Sequence, residues 1–304
     1  MNSPEPKSVA AVTEGLASVG YLADEGLATA IFLAMSMGRP LLLEGEPGVG
    51  KTEVAKALST FTGGELLRLQ CYEGLDSAQA LYEWDYPRQL LHLRAAEASG
   101  SIKGDATAVE NELYSERFLI RRPLLDAIAD RHRIAPILLI DELDRADDEF
   151  EAFLLELLAD NSVTIPELGT FRAPIPPVVI ITSNRTRDVH DALKRRCLYH
   201  WVDHPERERE IAIVLSRVPG AGELLVREVA ILVAELRTIG LFKPPGVAET
   251  IDWVMAMTSL GTTELDESTV DASLGAIVKY REDAERIRSH GISDLVAMAK
   301  SAER

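Results

Sequence analysis

Three stretches carry residue types whose order suits work on a phosphate ester. Residues 45–52 read GEPGVGKT and fit G-x-x-x-x-G-K-[ST]. Glycines at Gly45, Gly48 and Gly50, spaced by Glu46, Pro47 and Val49, let backbone N–H groups and the positive end of a following helix approach phosphate oxygens. Lys51 would reach the β and γ oxygens of a bound nucleotide, Thr52 would ligate Mg2+, and Glu53 completes the stretch expected to touch it. ILLIDE (137–142) ends four apolar residues on two acids: Asp141 would hold Mg2+, directly or through water, and Glu142 would polarise an attacking water. VVIITSN (178–184) closes on Asn184, whose amide can sit between the γ-phosphate and that water. Each of these also has a plain reading, as acids near a helix start or an amide in a turn. The phosphate loop, lying between an apolar strand and a helix, weighs against those plain readings.

The elements that must position these residues follow from periodicity. Helical spacing covers residues 8–37 with a break near Gly20, then residues 51–60. Short apolar runs at 39–44, 65–72, 135–141, 177–183 and 197–202 read as five strands, the third and fourth apolar enough to be buried on both faces. Strands alternating with helices imply a mostly parallel sheet covered on both sides. Beyond residue 203 the pattern turns helical, over about 205–216, 221–239, 247–258 and 270–288. A boundary is therefore expected at 203/204. GSIKGD (100–105) reads as a turn, and 161–173 as a hairpin around Leu168 and Gly169.

Composition narrows the classes. The chain of 304 residues is long enough for two domains, and 46% hydrophobic with 27% charged residues describes a folded globular protein. Carboxylates outnumber Lys and Arg by 49 to 32, a formal net charge of −17 that repels phosphate backbones, so nucleic acid is not an expected partner. The N-terminus shows no basic stretch ahead of an apolar run, and no long uncharged apolar segment follows, so the expected location is cytoplasmic with no membrane span. Cys71 and Cys197 stand far apart without neighbours at metal-ligand spacing and are expected to be reduced thiols. No N-K-x-D segment is present to read guanine, which favours ATP. Lys194, Arg195 and Arg196 are three adjacent cations that locally read as a solvated helix end.

Taken together, GEPGVGKT, ILLIDELDRAD, IITSNRTRD and ALKRRC, followed by a helical C-terminal part, resemble the AAA+ ATPases, and within them the MoxR family, over about residues 19–260. RLQCYEGLD, YEWDYPRQLL, ALKRRCLYHW and LFKPPGVAETIDW look like the CoxD-like subgroup that accompanies carbon monoxide dehydrogenase maturation. The resemblance implies an α/β AAA+ P-loop core with a mostly parallel five-stranded sheet at residues 1–203 and a smaller all-helical lid at 204–304. It implies a ring, usually a hexamer, with ATP between subunits. It also implies a chaperone-like role in maturing a metalloenzyme, such as a molybdenum/copper carbon monoxide dehydrogenase, often beside a partner with a von Willebrand factor A domain.

Residue by residue, Lys51 and Thr52 match Walker A, Asp141 and Glu142 match Walker B, and Asn184 matches sensor 1. The arginine finger falls in LKRRC, with Arg196 the better match and Arg195 the alternative. The excess of chain between Lys51 and Asp141 corresponds to a helix-2 insert facing the ring's pore, which YEWDYPRQLL would join. Gly20 and Tyr21 fall near the expected adenine position. Where MoxR proteins carry a sensor 2 arginine, this chain has Gly246 in FKPPGVAET, leaving Lys243 as the cation that could reach the phosphate. Two other functions fit the motifs: an ATP-gated assembly scaffold with little turnover, and a nucleic-acid-associated AAA+ motor.

Overall fold

A computed structural model of the chain describes residues 6–98 and 106–302. The turn read at 100–105 lies outside the described residues. Helices α1 (Val9–Ser18) and α2 (Glu25–Met37) lead into β1 (Leu41–Gly45), α3 (Lys51–Thr62) and β2 (Leu66–Gln70). An insertion follows: α4 (Ser77–Leu81), β3 (Tyr82–Trp84), α5 (Tyr86–Ala98), α6 (Ala106–Leu113), β4 (Leu119–Arg121) and α7 (Pro123–Ala127). The core resumes with β5 (Ile137–Asp141), α8 (Asp148–Asp160), β6 (Ser162–Ile165), β7 (Gly169–Arg172), β8 (Val178–Ser183), α9 (Asp191–Arg196) and β9 (Leu198–Val202). Helices α10 (Arg207–Arg217), α11 (Glu223–Leu236), α12 (Val247–Ser259), α13 (Glu267–Ile277), α14 (Arg281–His290) and α15 (Ile292–Ser301) complete the described chain.

One sheet takes the order β2-β5-β8-β1-β9. Its β2–β5, β5–β8 and β8–β1 pairs are parallel, and β1 and β5 are buried at every position, as strands covered on both faces must be. Parallel pairing brings the C-terminal ends of β5, β8 and β1 to one edge, where crevices for ligands form in open α/β sheets. The hairpin expected at 161–173 forms as antiparallel β6–β7, and β3–β4 makes a second ribbon within the insertion.

Two compact units divide the chain. The first holds the described residues of Met1–Val12, Gly26–Glu44 and Leu58–His200; its core joins Leu42, Leu138, Ile140 and Ile181 of the sheet to Trp84, Phe118 and Phe150. The second holds those of Thr13–Glu25, Gly45–Ala57 and Trp201–Arg304, centred on α11 and Trp253. The phosphate loop is thus grouped with the helical C-terminal part, whereas the expected division ran at 203/204. Among the described residues no helix is long and apolar enough to cross a membrane.

In the second unit one expected helix needs correction. The span 270–288 is two helices, α13 and α14, separated by extended Val278 and Tyr280. Lys279 turns back to donate to the Ala276 carbonyl at 2.7 Å, which ends α13. The buried Asp283 carboxylate accepts the Phe242 and Lys243 N–H groups at 2.6 and 3.2 Å, and Tyr280 packs edge-on against Phe242, so α14 is directed toward the segment ahead of α12. Apolar periodicity alone runs through this break because both helices bury the same kind of face.

Candidate functional site

In the first unit β5 delivers Asp141 and Glu142 to the sheet edge. Asp141 is 2% exposed; its Oδ1 accepts from the Thr182 hydroxyl at 2.6 Å and its Oδ2 from Arg68 Nη2 at 2.6 Å. Glu142 adopts a left-handed backbone (φ 55°), uncommon for a non-glycine residue, and its N–H donates to the same Thr182 hydroxyl at 2.9 Å. That turn carries its carboxylate to Asn184: the Asn184 amide donates to Oε1 at 3.4 Å. The other oxygen, Oε2, meets Gln70 Nε2 at 3.1 Å and Arg145 Nε at 3.0 Å. The geometry therefore brings together the three residues expected to handle the attacking water and the metal on this side.

Asn184 is held from behind by Asp144, whose carboxylate accepts the Asn184 N–H (3.1 Å), the Thr186 N–H (2.9 Å) and the Thr186 hydroxyl (2.6 Å). Burial pushes the Asp144 carboxyl upward, but the bonds from Thr186 and Asn184 outweigh it and hold the group below its ordinary range. A depressed carboxyl stabilises the fold above its unfolded pKa and loses that contribution as pH falls through its folded value. Asp144 thus favours an ordered Asn184 turn at neutral pH.

Neighbouring Cys71 is buried and unbridged, and its thiol is pushed up to about 12, first by burial and then by the Asp141 charge. Burial raises Cys197 to about 12 as well, so both stay thiols at neutral pH.

The second unit holds the phosphate loop. Lys51 is 6% exposed, and its ammonium donates to the Gly45 and Glu46 carbonyls, both at 2.7 Å. Gly45 is required because a Cβ there would lie 2.4 Å from the Val202 carbonyl oxygen. Glu46 and Pro47 are exposed and Val49 is buried, while Thr52 and Glu53 open α3. The Glu53 carboxylate is taken up by Lys56 (2.5 Å) and by Arg217 of α10 (3.0 Å). Burial opposes its ionisation, yet those two cations hold it below the ordinary carboxylate range.

The start of α12 docks on this loop. Ala248 N–H donates to the Gly48 carbonyl at 3.3 Å, and Glu249 Oε2 accepts the Gly246 N–H at 3.0 Å. A Cβ on Gly246 would stand 2.8 Å from Gly48 Cα, so glycine at this position lets two backbones touch. An arginine at this position is therefore expected to be harmful: Gly246→Arg should lower stability by about 1–3 kcal/mol through overpacking, read as a drop in thermal midpoint together with weakened nucleotide binding. Lys243 has its backbone N–H tied to Asp283, and its side chain makes no hydrogen bond or ion pair among the described residues.

Gly20 and Tyr21 share this unit with the phosphate loop. Gly20 takes φ +80° after α1, and the Tyr21 N–H returns to the Leu16 carbonyl at 2.9 Å. Burial raises the half-buried Tyr21 hydroxyl far above its ordinary value.

Around α9 the first unit reassigns the three cations. Arg39 caps the helix, donating to the Arg195, Arg196 and Cys197 carbonyls at 2.8, 3.0 and 3.2 Å. The Arg196 guanidinium donates to the Leu155 carbonyl of α8. Lys194 is not a plain surface residue: its ammonium lies 3.8 Å from Glu44 and 3.7 Å from Asp188. Arg195 is exposed, and its side chain has no hydrogen-bond or ion-pair partner among the described residues.

A family model described as the AAA domain (dynein-related subfamily) matches residues 40–197, more than half of the chain. The chain belongs to this family. That match spans Walker A, Walker B and the Asn184 segment of the AAA domain described above. The Escherichia coli (strain K12) protein named "Uncharacterized protein YehL" is 26% identical over 175 residues, covering 55% of this chain and 42% of its own length. The AAA chain therefore spans less than half of the length of this relative. Among solved structures, a point mutant of Thermotoga maritima RuvB overlays with a TM-score of 0.48 at 15% identity, covering 89% of this chain and 72% of that one. The Thermotoga maritima RuvB Holliday junction branch migration motor gives 0.44 at 15% identity with the same coverage.

Several residues around the acids had no signal of their own in the sequence. Arg68 and Gln70 alternate on the exposed face of β2, and only the β2–β5 register, Arg68 with Leu139 and Gln70 with Asp141, reveals what they reach. Thr182 could have been suspected, since a hydroxyl in an apolar buried strand needs partners.

Proposed function

We propose that this AAA-domain chain is a Mg2+-dependent ATPase that assembles into a ring and remodels a protein client. The observation that carries the reading is the grouping of the Asp141 carboxylate, the Glu142 carboxylate and the Asn184 amide at the C-terminal ends of β5 and β8, with β1 beside β8 feeding the phosphate loop. On this reading Lys51 leaves the Gly45 and Glu46 carbonyls to bind the β and γ oxygens, and loop N–H groups hold the phosphates. Glu142 accepts the proton of the attacking water while Asn184 fixes that water's orientation. The Asp141 carboxylate offers the oxygen ligands that suit a hard cation, and its Oδ2 already faces positive charge from Arg68. When bound, Mg2+ would neutralise charge on the transferred phosphoryl group.

Arg195 is the better candidate than Arg196 for a finger acting on a neighbouring subunit's nucleotide, because Arg196 is committed to Leu155. Tyr86, Leu90 and Leu91 on α5 are large apolar side chains left exposed on the insertion, and on this reading they are open to a client. The finer reading, a MoxR-type and CoxD-like role in maturing a metalloenzyme with a von Willebrand factor A partner, rests on the sequence resemblance. The −17 charge favours protein over nucleic acid as the client.

Steady-state phosphate release from the purified chain tests this. Activity per subunit should rise with protein concentration in Mg2+ and vanish in EDTA. Nucleotide-dependent assembly without phosphate release would support the scaffold reading instead.

A further inference from the structure

We infer that Thr182 is the positioning residue for both Walker B acids, an inference that rests on the ATPase reading for its catalytic consequence. Thr182 is 1% exposed, and its hydroxyl has one proton to give and lone pairs to accept with. Both capacities are used on consecutive residues of β5's end: it donates to Asp141 Oδ1 at 2.6 Å and accepts the Glu142 N–H at 2.9 Å. The register makes this possible, since β8 pairs in parallel with β5 up to Ile140 with Ile181, leaving Thr182 level with the acids.

The two bonds do different work. Fixing Oδ1 sets the orientation of the Asp141 carboxylate, whose Oδ2 accepts from the Arg68 guanidinium at 2.6 and 3.0 Å. Holding the Glu142 N–H stabilises a left-handed backbone that side chains rarely adopt, and that turn aims the Glu142 carboxylate at the Asn184 amide. Valine would match threonine in shape yet leave a buried carboxylate oxygen and a backbone N–H without this partner. Serine would keep the hydroxyl and lose only a methyl group.

The test compares the wild-type chain with Thr182→Val and Thr182→Ser by titrating Mg2+ into the protein with a fluorescent ATP analogue, and by measuring kcat and KM for ATP. Groups that orient metal ligands are worth about 10–100-fold in metal affinity or activity. Thr182→Val should therefore raise the half-saturating Mg2+ and lower kcat by factors in that range, with nucleotide affinity in EDTA within about twofold of wild type. Thr182→Ser should restore both. Thr182→Ala carries the same expectation as Thr182→Val and replaces it if that variant does not fold. Unchanged Mg2+ dependence in Thr182→Val, equal loss in Thr182→Ser, or a matching loss of affinity in EDTA would overturn the inference. The Mg2+ titration decides the role of Thr182 even if the wild-type chain proves not to turn over ATP, so the two readings fail separately.

Discussion

Glu142→Gln should lower steady-state phosphate release by about 10²–10⁴-fold while leaving ATP binding intact, the size expected when a positioned general base is removed. The substitution keeps the size of the side chain and removes its ability to take a proton. The partners of the carboxylate explain why binding should survive: Asn184, Gln70 and Arg145 surround Glu142, whereas the phosphates are expected to be held by Lys51 and the N–H groups of the loop. An amide can still accept from Gln70 and Arg145, so the local turn should persist. Turnover by Glu142→Gln equal to wild type would remove Glu142 from the chemistry. The same variant, held with ATP, is the natural bait for capturing the protein client.

Arg195→Ala should abolish most turnover, by about 10³–10⁵-fold if the finger contributes as fully as in the best-studied phosphoryl-transfer enzymes, while Arg196→Ala should mainly loosen the α8–α9 contact. The difference follows from what each guanidinium does. Arg196 is bonded to the Leu155 carbonyl, and the α9 carbonyls are already capped by Arg39, which leaves Arg195 with no structural duty among the described residues. A finger acts across subunits, so inactive Arg195→Ala and inactive Lys51→Ala chains mixed together should regain activity at interfaces that pair an intact Arg195 with an intact phosphate loop. Failure of every mixing ratio to restore phosphate release would count against action in trans. Recovery with Arg196→Ala in place of Arg195→Ala, and none with Arg195→Ala, would exchange the two roles.

What was legible in the sequence was whatever is encoded by neighbours along the chain. The runs LLLEG, ILLID and VVIITS announce strands because a strand buried on both faces must be apolar at consecutive positions. GEPGVGKT announces its chemistry because glycine, lysine and threonine are needed within eight adjacent positions. Contacts between distant residues were not legible. Arg39 caps α9 from 156 residues away, and Arg68 reaches Asp141 across 73, pairings that exist only once the sheet order is known. Reading the three adjacent cations locally made Lys194 a surface residue, because nothing near it in sequence announces that Glu44 lies 3.8 Å away. The α13–α14 break was hidden for the same reason: Asp283 bends the chain by binding amides at 242 and 243. The glycine at the start of α12 was visible, but the backbone contact with Gly48 that calls for it required the fold.

The most direct measurement is phosphate release from the wild-type chain and from Lys51→Ala, purified alike and assayed with ATP in Mg2+ and in EDTA. Lys51 is the one cation inside the phosphate loop, so the account predicts turnover only for wild type and only in Mg2+. Release by Lys51→Ala at the wild-type rate, or wild-type release that persists undiminished in EDTA, would contradict it.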